Sequence, residues 1–136
     1  MYSVWSATSS GVACVNLATV VGGVIYYPDL IKVKVDVSSG QVIGWEATNY
    51  CYNHVDRTYS GAGISILDAE ELVSSRLTII ERNYCIIPNK YVGESSAYEF
   101  VCEWDKYTYY VYLSVEDGEE LNIMRVVKTT SGDLMV

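Results

Sequence analysis

A hairpin pattern centred on Gly40 returns, in register, around Gly118, 78 positions further along the chain. In the first copy Val33, Val35 and Val37 alternate with Lys32, Lys34 and Asp36, the period of two of a half-buried antiparallel strand. Ser38, Ser39 and Gly40 supply turn chemistry, and Val42 to Thr48 resumes as a second strand. In the second copy Val111, Leu113 and Val115 alternate with Tyr110, Tyr112 and Ser114 before the turn Glu116, Asp117, Gly118, and Glu119 to Lys128 returns. A repeated unit restricts the fold more than any single motif does, because each copy must adopt the same local structure.

The correspondence extends upstream. Gly11 to Val20 and Ala97 to Trp104 both read as strands leading into the hairpin, and Tyr2 to Thr8 corresponds to Asn83 to Asn89, giving four strands per copy. Between the copies lies one amphipathic segment. Ser65 is suited to an N-cap, with Asp68 at the capping-box position and Glu70 and Glu71 near the positive end of the helix dipole. Ile66, Ala69, Leu72 and Val73 form an apolar stripe, so the expectation is a single principal helix from Ser65 to Arg76.

The resulting architecture is α+β: two related units of antiparallel sheet, residues 1–52 and 64–136, joined by a polar, glycine-containing linker at 53–63. The second unit carries the helix and the first has none, so the first reads as truncated at its N-terminal side. Its apolar sheet face then needs cover from the second unit or from self-association.

Composition narrows the function classes. Half of the 136 residues are apolar and 19% are charged, the balance of a folded chain. A net charge of −8 opposes nucleic-acid binding, which requires clustered Lys and Arg on phosphates. The uncharged run from Met1 to Pro28 is neither a spanning helix nor a leader, because Asn16, Thr19, Gly22 and Gly23 interrupt it and no basic region precedes it.

Candidate catalytic chemistry is sparse. Cys14, Cys51, Cys85 and Cys102 lack paired spacing and read as thiols, and Cys51 with His54 makes a lone C-x-x-H without a second ligand pair. No metal, cofactor or catalytic residue is therefore assigned. Glu116, Asp117, Glu119 and Glu120 read as a solvated acidic tip. The stronger candidates form an interaction surface. Among 13 tyrosines, Tyr110 and Tyr112 fall opposite the core positions of their strand, and Lys32 and Lys34 occupy the matching places in the first copy. Trp45 and Trp104 are expected in the core.

These segments, YYPDLIKVKVDVSSGQVIGWEATNYCYNH at Tyr26 to His54, ISILDAEELV at Ile64 to Val73, YEF at Tyr98 to Phe100 and VYLSVEDGEE at Val111 to Glu120, resemble the PepSY module and, more closely, the YpeB-like spore germination proteins. The resemblance implies a helix-on-sheet unit in tandem, and a germination role in concert with a SleB-type cortex-lytic enzyme. It implies a place in the spore, on the outer side of the inner membrane or in the cortex region, with a membrane anchor outside this chain. The expected function is non-catalytic: stabilising or restraining the hydrolase. A peptidase-inhibitor role and weak peptidoglycan binding are the alternatives.

Overall fold

The computed structural model describes residues 2–61, 63–91, 93–130 and 132–136. Among these residues nine strands and two short helices follow one another: β1 Tyr2–Ser9, β2 Val12–Val21, β3 Val24–Asp36, β4 Val42–Glu46, α1 Thr48–Asn53, α2 Ile66–Leu72, β5 Thr78–Pro88, β6 Glu94–Trp104, β7 Tyr107–Ser114, β8 Glu120–Thr129 and β9 Gly132–Met135. Where antiparallel sheets belonging to separate units were expected, the strands join in one sheet of order β2-β1-β9-β8-β7-β6-β5-β3-β4. It is mixed, because β3 meets β5 in parallel through Val24, Ile25 and Tyr26.

β2 pairs with β3 as well as with β1, so the pairings form a circuit of eight strands with β4 outside it. Around that circuit seven pairings are antiparallel and one is parallel.

The two hairpins are equivalent in hydrogen bonding. Gly40 N–H donates to the Asp36 carbonyl at 2.8 Å and Gly118 N–H to the Ser114 carbonyl at 2.9 Å. Asp36 N–H reaches Gln41 O at 2.9 Å, and Ser114 N–H reaches Glu119 O at 2.8 Å. Both turn glycines take positive φ, +71° and +77°. Each hairpin is bulged at the same point, between Lys34 and Val35 in the first and between Tyr112 and Leu113 in the second.

The helix prediction is correct in place but long. Ser65 caps α2, accepting from Asp68 N–H at 3.1 Å and donating its hydroxyl to the Asp68 carboxylate at 2.8 Å. The helix ends at Leu72, because Val73 adopts an extended ψ of 137°. A second helix, α1, replaces the end of the expected strand Val42 to Thr48 and the start of the linker. Its six residues carry no acidic first turn and no side-chain cap, so local sequence gave no sign of it.

Two apolar clusters lie on opposite faces of β6 and β7. On one face Tyr98, Phe100, Cys102, Val111, Leu113 and Val115 pack under α2, with Ile64, Ile66 and Val73 at their edge. On the other, Ala18, Ile25 and Tyr27 of the first repeat pack against Cys85, Ile87, Ala97 and Tyr112 of the second.

Candidate functional site

The site is built where the first repeat departs from the pattern of the second. β3 pairs with β2 up to Tyr26 opposite Thr19 and resumes only at Ile31 opposite Leu17, so Tyr27–Leu30 leaves the ladder. This excursion carries Tyr27 and Asp29 into the seam between the repeats.

Tyr27 donates its hydroxyl to Glu99 of β6 at 2.5 Å, and Asn83 of β5 donates to the other carboxylate oxygen at 2.9 Å. Glu99 is fully buried. Burial pushes its pKa above the ordinary carboxyl value, against the hydrogen bonds from Tyr27, Asn83 and Tyr112, which favour the anion. Tyr27 and Tyr112 are raised in turn by burial and then by the neighbouring Glu99 charge.

Asp29, also fully buried, accepts both arms of the Arg57 guanidinium, at 2.7 and 2.9 Å. The same guanidinium grips Glu94 at the start of β6, at 2.7 and 2.8 Å, and donates to the Asn53 carbonyl at 2.7 Å. Its charge is held well above the ordinary range by Glu94 and Asp29. His54 Nδ1 lies 2.7 Å from Asp29, and its ring stacks on Tyr50 with centroids 4.5 Å apart. Asn53 of α1 donates to the Pro28 carbonyl at 3.2 Å, tying the helix to the excursion. One guanidinium bridges two carboxylates, so the arrangement works as a clamp between the repeats rather than as a nucleophile with its base.

The cysteines are all free thiols. Burial pushes Cys102 up to about 11 and raises Cys85 well above its ordinary value, which keeps both as unreactive thiols. Among the described residues no group of three His, Cys, Asp or Glu side chains is placed to hold a metal.

The predicted surface residues separate. Lys34 is exposed, and Lys32 pairs with Glu46 at 3.8 Å, both at the edge formed by β3 and β4. Tyr110 is half-buried against the inter-repeat cluster, while Tyr112 is buried and hydrogen-bonded to Glu99. The expectation that Tyr112 faces solvent is therefore corrected: its face is wet in an isolated hairpin, but the first repeat covers it here. The expected core position of the tryptophans is corrected as well. Trp45 is 72% exposed and Trp104 is 50% exposed, the one on the uncovered β4 and the other at the end of β6 beside Tyr109. Asp29, Arg57 and Glu99 escaped the sequence reading, since each looks like an ordinary polar residue in a strand or loop. Only the interruption of an apolar run by Pro28 and Asp29 hinted at the excursion.

Comparison with known proteins decides the family. A family model described as "YpeB sporulation, PepSY1 and PepSY2 domains" matches residues 1–60. The sporulation protein YpeB of Halalkalibacterium halodurans is 36% identical over 100 residues, 74% of this chain. The chain belongs to the YpeB family. The YpeB of Oceanobacillus iheyensis is 35% identical over 98 residues, 72% of this chain. This chain spans only 22% of the length of either relative. The solved Bacillus megaterium YpeB C-terminal domain aligns with a TM-score of 0.85 and 26% identity, covering 90% of this chain and 55% of that one. The fold is thus that of a YpeB C-terminal domain, mostly sheet with two short helices. No helix among the described residues is long and apolar enough to cross a membrane.

Proposed function

We propose that this chain is a non-catalytic protein-interaction module of a YpeB-like germination protein, which stabilises or restrains a SleB-type cortex-lytic hydrolase at the outer side of the spore's inner membrane. In this reading residues 1–52 and 64–136 are PepSY-like units joined by 53–63, and the membrane anchor lies elsewhere in the longer YpeB chain. One observation carries it. Val37 is 55% exposed, whereas Val115, its counterpart in the second repeat, is 1% exposed beneath α2 and Ile64. Val33 and Val35 share the open face with Trp45 and Val42, their partners across β3 and β4. A face composed like a core yet left uncovered is an interaction face. Its cover is an amphipathic helix of α2's kind, from YpeB sequence outside these residues, and the completed module holds the hydrolase.

Calorimetric titration of purified SleB-type enzyme with this chain, and with a form extended upstream by one helix, tests the reading. Binding by the extended form alone is expected. Binding by neither sinks the hydrolase role, and equal binding by both removes the open face from it.

A second reading is favoured by Trp45, whose indole is 72% exposed on the outermost strand β4. An exposed indole suits stacking on a sugar face, so weak peptidoglycan binding is the alternative. Co-sedimentation with insoluble cortex, lost in Trp45→Ala, identifies it.

A further inference from the structure

Three adjoining hollows run through Pro88, at the end where β5 finishes and β8 begins. A hollow of about 330 Å³ is lined by Tyr27, Leu30, Ile87, Tyr112 and Met124, with Asn122 at its rim. It shares Ile87, Pro88 and Asn122 with a second of about 490 Å³, which adds Asn89, Lys90, Tyr91, Glu119 and Glu120. It shares Tyr27, Leu30 and Pro88 with a third of about 380 Å³, beside Asn49 and Asn53 of α1. The result is an elongated groove, apolar in the middle and acidic at one end.

Three properties favour an extended peptide over a compact ligand. β8 pairs with β9 only from Val126 onward, so among the described residues Glu120–Ile123 has no strand partner on its outer edge. The Asn89 side-chain oxygen is buried beside the groove with no hydrogen-bond partner among the described residues, an acceptor open to an N–H donor. Glu119 and Glu120 belong to no ion pair among the described residues and line the same hollow as Lys90, whose ammonium sits over the Tyr91 ring. The excess of carboxylate calls for a cation, and the apolar middle calls for a proline or aliphatic side chain.

We infer that this groove binds an extended peptide segment in which Lys or Arg flanks a proline or aliphatic residue, aligned along the free edge of β8. The inference goes beyond the hydrolase reading and stands apart from the open valine face. The probe is the capped peptide Lys-Pro-Leu-Lys-Pro-Val, titrated into the whole chain and followed by amide shifts in nuclear magnetic resonance. Saturable shifts confined to Ile87–Tyr91 and Glu119–Met124 are expected. The Glu119→Lys/Glu120→Lys double variant should weaken binding more than about tenfold, and Leu30→Lys should do the same through the apolar middle. Glu71→Lys/Glu103→Lys, which makes the same charge change elsewhere, should leave affinity within about threefold. No saturation, shifts mapping elsewhere, or equal loss in the two double variants would overturn the inference. Failure of this titration leaves the hydrolase reading standing, since that one is read from a different ligand.

Discussion

Tyr27 donates its hydroxyl to Glu99 across 72 positions of sequence, joining the excursion of the first repeat to the middle strand of the second. The bond places a carboxyl group deep in the inter-repeat cluster with three polar neighbours and no cation among them. Such a group is costly as an anion and cheap as an acid, so it couples the packing of the repeats to pH.

The sign follows from the raised pKa of Glu99. The folded state holds the proton more tightly than the unfolded one, so this group's contribution to stability is complete below its ordinary value of 4.5 and is lost as pH rises through its raised folded value. Relative to Glu99→Gln, the natural chain should be most stable at low pH and lose ground steadily above it. Urea melts of both forms from about pH 4 to about pH 8 measure the difference. A pH-independent gap would show that Glu99 ionises in the fold as easily as in water. Tyr27→Phe removes a donor from the same carboxyl and should cost about 1–3 kcal/mol near neutrality.

The Arg57 clamp makes a larger prediction. Its guanidinium is 5% exposed and holds a fully buried Asp29. Arg57→Met leaves that carboxylate with His54 as its one remaining side-chain partner among the described residues and should cost about 3–5 kcal/mol in chemical denaturation. Arg57→Lys should recover little, because one ammonium cannot reproduce the fork to Asp29 and Glu94. Combining Arg57→Met with Asp29→Asn should cost less than the sum of the two single changes, since each leaves the other's partner stranded.

How much of this could be read in advance differs from residue to residue. The hairpins at Gly40 and Gly118 were legible because a period of two and a glycine at the turn are local properties, and the structure gives both the same bonds and the same bulge. The Ser65 cap was legible for the same reason. What the sequence could not display was contact between the repeats. Tyr112 follows an alternation that marks it as outward, yet outward in this sheet means toward the first repeat. Trp45 looks like a core residue by composition, but the face it shares with Val33 has no cover among these strands. Asp29 and Arg57 are 28 positions apart, and nothing local couples them.

The equivalent glycines offer a test of how α2 sits on the second hairpin. Both have positive φ, so alanine at either is strained, by about 1 kcal/mol. A Cβ at Gly40 would meet nothing within 4 Å, whereas one at Gly118 would lie 2.4 Å from Leu72 Cδ1 and 2.7 Å from Ile64 Cδ1. Both contacts are terminal methyls that can turn aside, so Gly118→Ala should cost more than Gly40→Ala by up to about 1 kcal/mol. Thermal or urea melts decide this, and equal losses would mean that the helix is not seated against the turn.

The valine faces give the clearest contrast between the repeats. Val115 is enclosed by the segment leading into α2, which also donates Ile64 N–H to the Val115 carbonyl at 3.1 Å, and a charge there has no route to water. Val115→Asp should cost about 3 kcal/mol or more, enough to unfold a marginal domain. Val37 occupies the same place in the first hairpin but reaches solvent, so Val37→Asp should change the stability of this chain by no more than about 0.5 kcal/mol. In the form extended by an upstream helix the same substitution should become costly, because the aspartate would then lie under a helix as it does at Val115. Melts of the four proteins, each substitution in each form where it folds, read the difference directly. If Val37→Asp is equally mild with the added helix, that helix does not dock on the valine face, and the face is left for a separate partner.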